Sequence, residues 1–250
     1  MHHFFVAPSQ VEEEENRIII EGMDVNHIKN VLRMNVGEEL LISDGSGNDY
    51  ICRVSHMGQD IIEAEIIQKE HEGTELPVQI YLFQGLPKGD KMEWIIQKAV
   101  ELGVYQIVPM ATKRCIVKLD EKKGAAKRKR WQSIAESAAK QSRRGVIPQV
   151  QPVADFKQAV EMSKDFSCKW IPYENFKNME SAKEMLGQIQ QGDKIAVYIG
   201  PEGGFEASEV DYAIEHCITP VSLGRRILRT ETAGLMLLSV LMFQIEINAK

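Results

Sequence analysis

Over the first 70 residues, short apolar runs alternate with Gly, Asn and Asp turns. Arg17-Ile18-Ile19-Ile20, Glu39-Leu40-Leu41-Ile42-Ser43, Asp49-Tyr50-Ile51-Cys52-Arg53-Val54 and Ile61-Ile62-Glu63-Ala64-Glu65-Ile66-Ile67 each read as a strand. Ser43-Asp44-Gly45-Ser46-Gly47-Asn48, between two of them, carries a hairpin turn signal. With one helix near Val25 to Leu32, the pattern predicts a small β-barrel. Lys69 to Glu75 contains no apolar residue and reads as a linker.

From Leu76 the rhythm becomes strand, helix, strand. Val78 to Phe83 is a predicted strand. Met92, Ile95, Ile96, Ala99 and Leu102 then recur at helical spacing, and Gly103 supplies a stop. Gln106 to Met110 is the next strand, and a long helix follows through Trp131, Ile134, Ala135 and Ala138. Strand signals return at Cys168 to Pro172, Ile195 to Ile199 and Pro220 to Leu223, and a last helix runs from near Thr230 to about Ile247. Such alternation predicts an α/β fold: a mostly parallel sheet with helices on both faces. We divide the chain into residues 1–72 and 73–250.

Two late segments combine a strand, a glycine loop and a helix start: Val197 to Phe205, containing Gly200-Pro201-Glu202-Gly203-Gly204, and Leu223 to Ala233, containing Gly224. α/β proteins bind ligands at the carboxyl ends of parallel strands, so both loops are expected to line one site. The first loop is not a P-loop, since no GK[ST] ends it. It is not a dinucleotide fingerprint either, lying in the last fifth of the chain. Three glycines allow backbone groups to approach a ligand closely; a tight turn alone would account for one glycine better than for three. Arg229, a cation just before a helix start, opposes the favoured dipole arrangement and points to an anionic partner. Arg225 and Arg226 read equally well as solvated surface charges.

Composition narrows the class. A chain of 250 residues with 44% hydrophobic and 26% charged residues is ordinary for a globular protein of one or two domains. No secretory leader is visible, and the most apolar segment, Ala233 to Phe243, is shorter than the roughly 20 residues of a membrane span. Cys52, Cys115, Cys168 and Cys217 stand far apart without a CxxC pair, which suggests neither zinc nor a disulfide framework; a reducing, cytoplasmic setting and no metal are expected. The net charge of −6 hides an asymmetry: residues 113–145 carry 12 Lys or Arg against 3 Asp or Glu, whereas residues 1–70 carry 5 against 14. A basic block in an acidic chain suits phosphates spread along a nucleic-acid backbone, although an exposed solvated helix would show the same charges.

At these residues the chain resembles the knotted SPOUT RNA methyltransferases. Within them it is most similar to bacterial enzymes that methylate N3 of a uridine in small-subunit (16S) ribosomal RNA. The resemblance rests on Ile199 to Phe205 with Leu223 to Ala233. It extends to Phe4-Phe5-Val6, His27 to Arg33, Lys88 to Glu93, Gln97 to Gly103 and Ser137 to Arg144, and so covers almost the whole chain. It implies a PUA-like RNA-binding barrel in residues 1–72, a trefoil-knotted domain in 73–250, and a homodimer with the apolar last helix (Leu235, Leu237, Leu238, Leu241, Met242) as a candidate interface. It also implies S-adenosyl-L-methionine as cofactor, held by Ile199, Gly200, Pro201, Glu202, Gly203, Leu223, Gly224, Ile227 and Leu228. Rivals are a knotted enzyme acting on ribose 2′-hydroxyls or transfer RNA, and a non-catalytic assembly factor.

The reaction the resemblance implies sets the remaining roles. Uridine N3 becomes a nucleophile only when its proton leaves and charge spreads onto O2 and O4, so a nearby cation favours the ionised base. Arg229 is the expected cation and Glu231 the expected proton acceptor, with Glu202 competing; Glu231 is also what a capped helix start would carry. Lys88, Lys91, Lys113, Arg114, Lys140, Arg143 and Arg144 are the expected RNA contacts, on the 30S ribosomal subunit as substrate.

Overall fold

A computed structural model describes residues 1–70, 73–174 and 186–248, which form two compact units. The first comprises Met1–Glu75 with Ala139–Ile147. Its six strands are β1 (His2–Phe5), β2 (Val11–Glu12), β3 (Arg17–Glu21), β4 (Glu39–Ser43), β5 (Asp49–Met57) and β6 (Ile61–Glu70). They form one curled sheet in the order β1-β4-β5-β6-β3-β2, with no pairing between β1 and β2 among the described residues. The period-2 alternation turns Ile18, Ile20, Leu40, Ile42, Tyr50, Cys52, Val54, Ile62 and Ala64 into one core. Helix α1 (Met23–Asn26) and the π-helical turn His27–Val31 cover it with Val25 and Ile28. The Ser43–Asn48 turn forms as expected: Asp44 Oδ1 accepts hydrogen bonds from the backbone of Ser46 and Asn48 and joins β4 to β5.

The boundary at residue 72 misses one contribution, because residues 139–147 pack with the first unit. Arg144 is buried (3% exposed) and its guanidinium is held by the Glu75 carboxylate, with Nε at 2.8 Å from Oε1. Lys140 Nζ lies 3.2 Å from Asp24 Oδ1, and Thr74 Oγ1 donates to the Arg143 carbonyl.

The second unit comprises Leu76–Ala138 with Pro148–Lys250. Its strands are β7 (Gln79–Gly85), β8 (Gln106–Ala111), β9 (Gln149–Val150), β10 (Ala154–Asp155), β11 (Cys168–Pro172), β12 (Lys194–Ile199) and β13 (Thr219–Val221). Every pairing is parallel, in the order β10-β8-β7-β12-β11-β13, with β9 beside β8. Its helices include, among the described residues, α2 (Lys91–Glu101), α3 (Glu121–Ser142, its last four residues counted in the first unit), α4 (Phe156–Met162), α5 (Ala207–Glu215) and α6 (Thr230–Asn248).

Helices cover both faces of the sheet. Phe83 and Tyr198 pack with Phe156, Ala159 and Val160 of α4 and with Val210 and Ala213 of α5. Their sequence neighbours Leu82 and Ile199 turn to the other face, where Gly234 of α6 lies against them, and α2 packs on α6. Chain direction reverses its progress across the sheet between β7 and β12, so their carboxyl ends form a topological switch point, the place where open α/β sheets form a ligand crevice.

Helix α6 departs from expectation. At 19 residues it is, by length and composition, long and apolar enough to cross a bilayer, and a third of it is buried within the chain. Leu237, Leu238 and Leu241, proposed for an interface, belong to the core, together with Ile245. The outward stripe is instead Met236, Val240, Phe243 and Ile247, spaced i, i+4, i+7, i+11, with Phe243 64% exposed.

Candidate active site

The two glycine loops meet at the carboxyl ends of β12 and β13, around a cavity of about 570 Å³. Residues 199–205 form one wall and 222–230 the other, with Lys91, Pro172, Tyr173, Glu174 and Ala233 completing it. The volume falls within the 300–1,000 Å³ typical of small-molecule sites. All nine residues expected to hold the cofactor line this cavity.

The glycines answer to the loop's own packing. Gly204 has φ +66°, a left-handed conformation that suits glycine. A methyl group at Gly200 would lie 3.0 Å from the Gly204 backbone, and one at Gly203 would lie 3.2 Å from Arg114 Cβ. Gly85, at the end of β7, is a glycine that sequence reasoning missed. A side chain there would meet Pro201 N at 2.6 Å, so the strand end and the loop touch backbone to backbone.

A buried polar link fastens this junction. Thr230, at the start of α6, donates from Oγ1 to the Gly200 carbonyl (2.6 Å) and accepts from Gln84 Nε2 (2.9 Å). Gln84 is fully buried. One hydroxyl therefore joins β7, the first loop and the second loop's exit. The visible signal was only the buried-strand pattern with a glutamine at its end. Nothing in that pattern indicates a partner 146 positions away.

Lys91, an expected RNA contact, is the centre of a charged cluster. Its Nζ lies 2.9 Å from Glu202 Oε1 and 3.6 Å from Glu231 Oε2. The Lys88 backbone also donates to Glu202 Oε1 at 3.1 Å. The hydrogen bond to Glu202 holds the Lys91 ammonium above its ordinary pKa. Partial burial pushes the Glu202 carboxyl up, but the hydrogen bonds from Lys91 and the loop backbone outweigh it and leave the pKa below its ordinary value.

Glu231, the expected proton acceptor, does not line the cavity. It sits in the first turn of α6, where its Oε2 is buried beside Lys91 with no hydrogen-bond partner among the described residues. Glu202 does line the cavity, as does Arg229, which is exposed and makes no ion pair among the described residues.

The expected RNA contacts divide between the units: Lys140, Arg143 and Arg144 belong to the first and Lys88, Lys91, Lys113 and Arg114 to the second. Arg144 is corrected outright, because a buried guanidinium committed to Glu75 cannot meet a phosphate. Arg114 Nη1 donates to the Gly203 carbonyl, and Lys113 Nζ sits at the start of α5 on Ser208 and Glu206. Lys88 and Arg143 are exposed. Arg143 takes φ +58° where α3 ends, a helix stop usually made by glycine.

A cavity built by two loops after parallel strands, lined by charges of both signs and apolar side chains, is the small-molecule site of an open α/β fold. A family model described as "RNA methyltransferase domain" matches residues 74–242, and one described as "RNA methyltransferase PUA domain" matches residues 20–67. The chain is 38% identical, over 98% of its length and 97% of the relative's, to the ribosomal RNA small subunit methyltransferase E of Bacillus subtilis. A crystal structure of a ribosomal RNA small subunit methyltransferase E from Neisseria gonorrhoeae, bound to S-adenosyl methionine, superposes with a TM-score of 0.82 at 32% identity, covering 97% of each chain. A further crystal structure, titled only as a hypothetical protein, reaches 0.91 at 37% identity over 98% of this chain and 99% of that one. The chain belongs to the RNA methyltransferase family, among the ribosomal RNA small subunit methyltransferases E.

Proposed function

We propose that this enzyme transfers a methyl group from S-adenosylmethionine to N3 of a uridine in 16S ribosomal RNA, on the assembled 30S subunit in the cytoplasm. The observation that carries the reading is the cavity between residues 199–205 and 222–230. Its lining fits the cofactor's chemistry: Ile199, Pro201, Phe205, Leu223 and Leu228 suit the adenine ring, and Glu202 and Glu174 a sulfonium. When bound, the cofactor supplies an electrophilic methyl group, so the chain's work is orientation, charge placement and proton removal.

Arg229 compensates the charge that spreads onto O2 and O4 as the N3–H bond breaks. The proton passes to Glu202, a carboxylate that lines the cavity beside Lys91. Glu231 balances Lys91 from behind and so keeps the Lys91 ammonium between two carboxylates. The N3 lone pair thereby freed forms the new N–C bond, and the electrons of the broken C–S bond stay on sulfur.

We further infer a trefoil-knotted chain path through the two loops and a PUA-like role in RNA contact for the first unit. We also infer a homodimer joined through the outward stripe of α6, where three exposed apolar residues on one helix face invite a partner. The test is methyl transfer from labelled S-adenosylmethionine to undermethylated small subunits. Label in 3-methyluridine supports the reading, and label in ribose or transfer RNA replaces the target.

A further inference from the structure

Most cations expected to hold RNA are already engaged. Lys91, Lys113, Lys140 and Arg144 have carboxylate partners, and Arg114 is bonded to a loop carbonyl. Arg225 and Arg226 are different: both are exposed at the cavity mouth and make no ion pair or hydrogen bond among the described residues. Between them and Arg229 stands Ile227, 88% exposed. Three guanidiniums and an exposed isoleucine thus stand within five residues at the cavity mouth.

We propose that the loop Leu223–Arg229 is itself the RNA grip: Arg225 and Arg226 contact backbone phosphates, and the Ile227 side chain lies against the face of an unpaired base at the cavity mouth. The inference rests on the methyltransferase reading above and names the surface by which that site receives its substrate. Its chemistry favours RNA over a second copy of this chain. A two-fold contact through the loop would bring like guanidiniums together, whereas phosphates neutralise them, and an apolar side chain against a base excludes water from both. Gly224, at φ +107°, sets the turn that brings Arg225 and Arg226 outward just after the strand.

The test uses the full-length protein and an oligoribonucleotide from the small-subunit RNA, with binding measured across salt concentrations. For the double variant Arg225→Gln/Arg226→Gln, two lost phosphate contacts make the slope of log K against log[salt] shallower by about 1.4–1.8. The affinity deficit is then about tenfold larger at 50 mM than at 200 mM salt. Ile227→Ser loses affinity by a factor that does not change with salt. The double variant's circular dichroism and thermal midpoint stay at the wild-type values and show that the protein is folded. An unchanged salt slope overturns the proposal. So does a double variant that alters the oligomeric state in sedimentation while RNA binding stays intact, which would assign the loop to a second copy. Wild-type protein that binds neither cofactor nor RNA would instead bring down the functional reading, and this inference with it.

Discussion

Gly85→Ala places a methyl group 2.6 Å from Pro201 N, 2.7 Å from Pro201 Cδ and 3.0 Å from Gly200 C. Carbon contacts are comfortable at about 3.5–4.0 Å, so the end of β7 and the first loop must part by roughly 1 Å. Both partners are backbone or ring atoms and have no rotamer with which to yield. Overpacking of this kind costs about 1–3 kcal/mol, and a domain of this size loses about 2–4 °C in Tm per kcal/mol. The damage to function exceeds this, because the hydrogen bonds Thr230–Gly200 (2.6 Å) and Lys88–Glu202 (3.1 Å) tie the same loop in place. A displacement near 1 Å at a reacting centre costs about 10²-fold in rate. Gly234→Ala is the control. Its methyl group would meet Ile199 Cγ1 at 3.5 Å and Gln84 Oε1 at 3.6 Å, ordinary contacts, and helix propensity favours alanine by about 1 kcal/mol. Thermal unfolding, calorimetric titration with S-adenosylmethionine and methyl-transfer kinetics should show Gly85→Ala folded but weak in cofactor binding and about 100-fold slower. Gly234→Ala should be more stable and active. A Gly85→Ala enzyme with wild-type cofactor affinity and rate would refute the reasoning.

Other consequences are open to test. Lys91→Met removes the cation that keeps Glu202 ionised, so the acidic limb of the activity profile should move to higher pH, and Lys91→Arg should restore much of it; an unmoved limb separates Glu202 from proton transfer. Arg144→Ala strands the Glu75 carboxylate and should cost about 3–5 kcal/mol in denaturant unfolding, whereas Arg143→Gly, at a left-handed position, should gain up to about 1 kcal/mol. Burial lowers the His3 pKa from 6.5 despite the Lys140 carbonyl and Asp49 nearby. The unfolded chain therefore binds this proton first, and stability should fall as pH drops below 6.5 until folded His3 titrates; His3→Gln should flatten that stretch of the curve. Phe243→Glu should give a monomer in sedimentation if α6 joins two copies, and a wild-type monomer at working concentration would remove the dimer.

Much of this architecture was legible in the residues because each element is locally consistent. The alternation in Glu39 to Val54 and the turn between its halves specify a hairpin, and Ile195 to Ile199 running into Gly200-Pro201 specifies a strand with a loop at its end. The convergence of the two loops followed from parallel strands. What escaped was pairing at long range. Charge along the chain does not distinguish Arg143 from Arg144, yet one is exposed and the other buried on Glu75, 69 positions away. The ion pair of Glu231 with Lys91, on another helix, is likewise invisible in sequence. The short β1, α4 and α5 carry too few residues for a period to declare itself. In α6, apolar on nearly every side, periodicity cannot say which leucines face inward; packing against α2 and β12 decides.

The central claim is tested most directly by incubating the purified protein with S-adenosylmethionine labelled in its methyl group and undermethylated small ribosomal subunits, then digesting the RNA to nucleosides. The account predicts label in 3-methyluridine, greatly reduced in Arg229→Ala and in Glu202→Gln. Label in any other nucleoside, or none in subunits that accept methyl groups from a control enzyme, would contradict it.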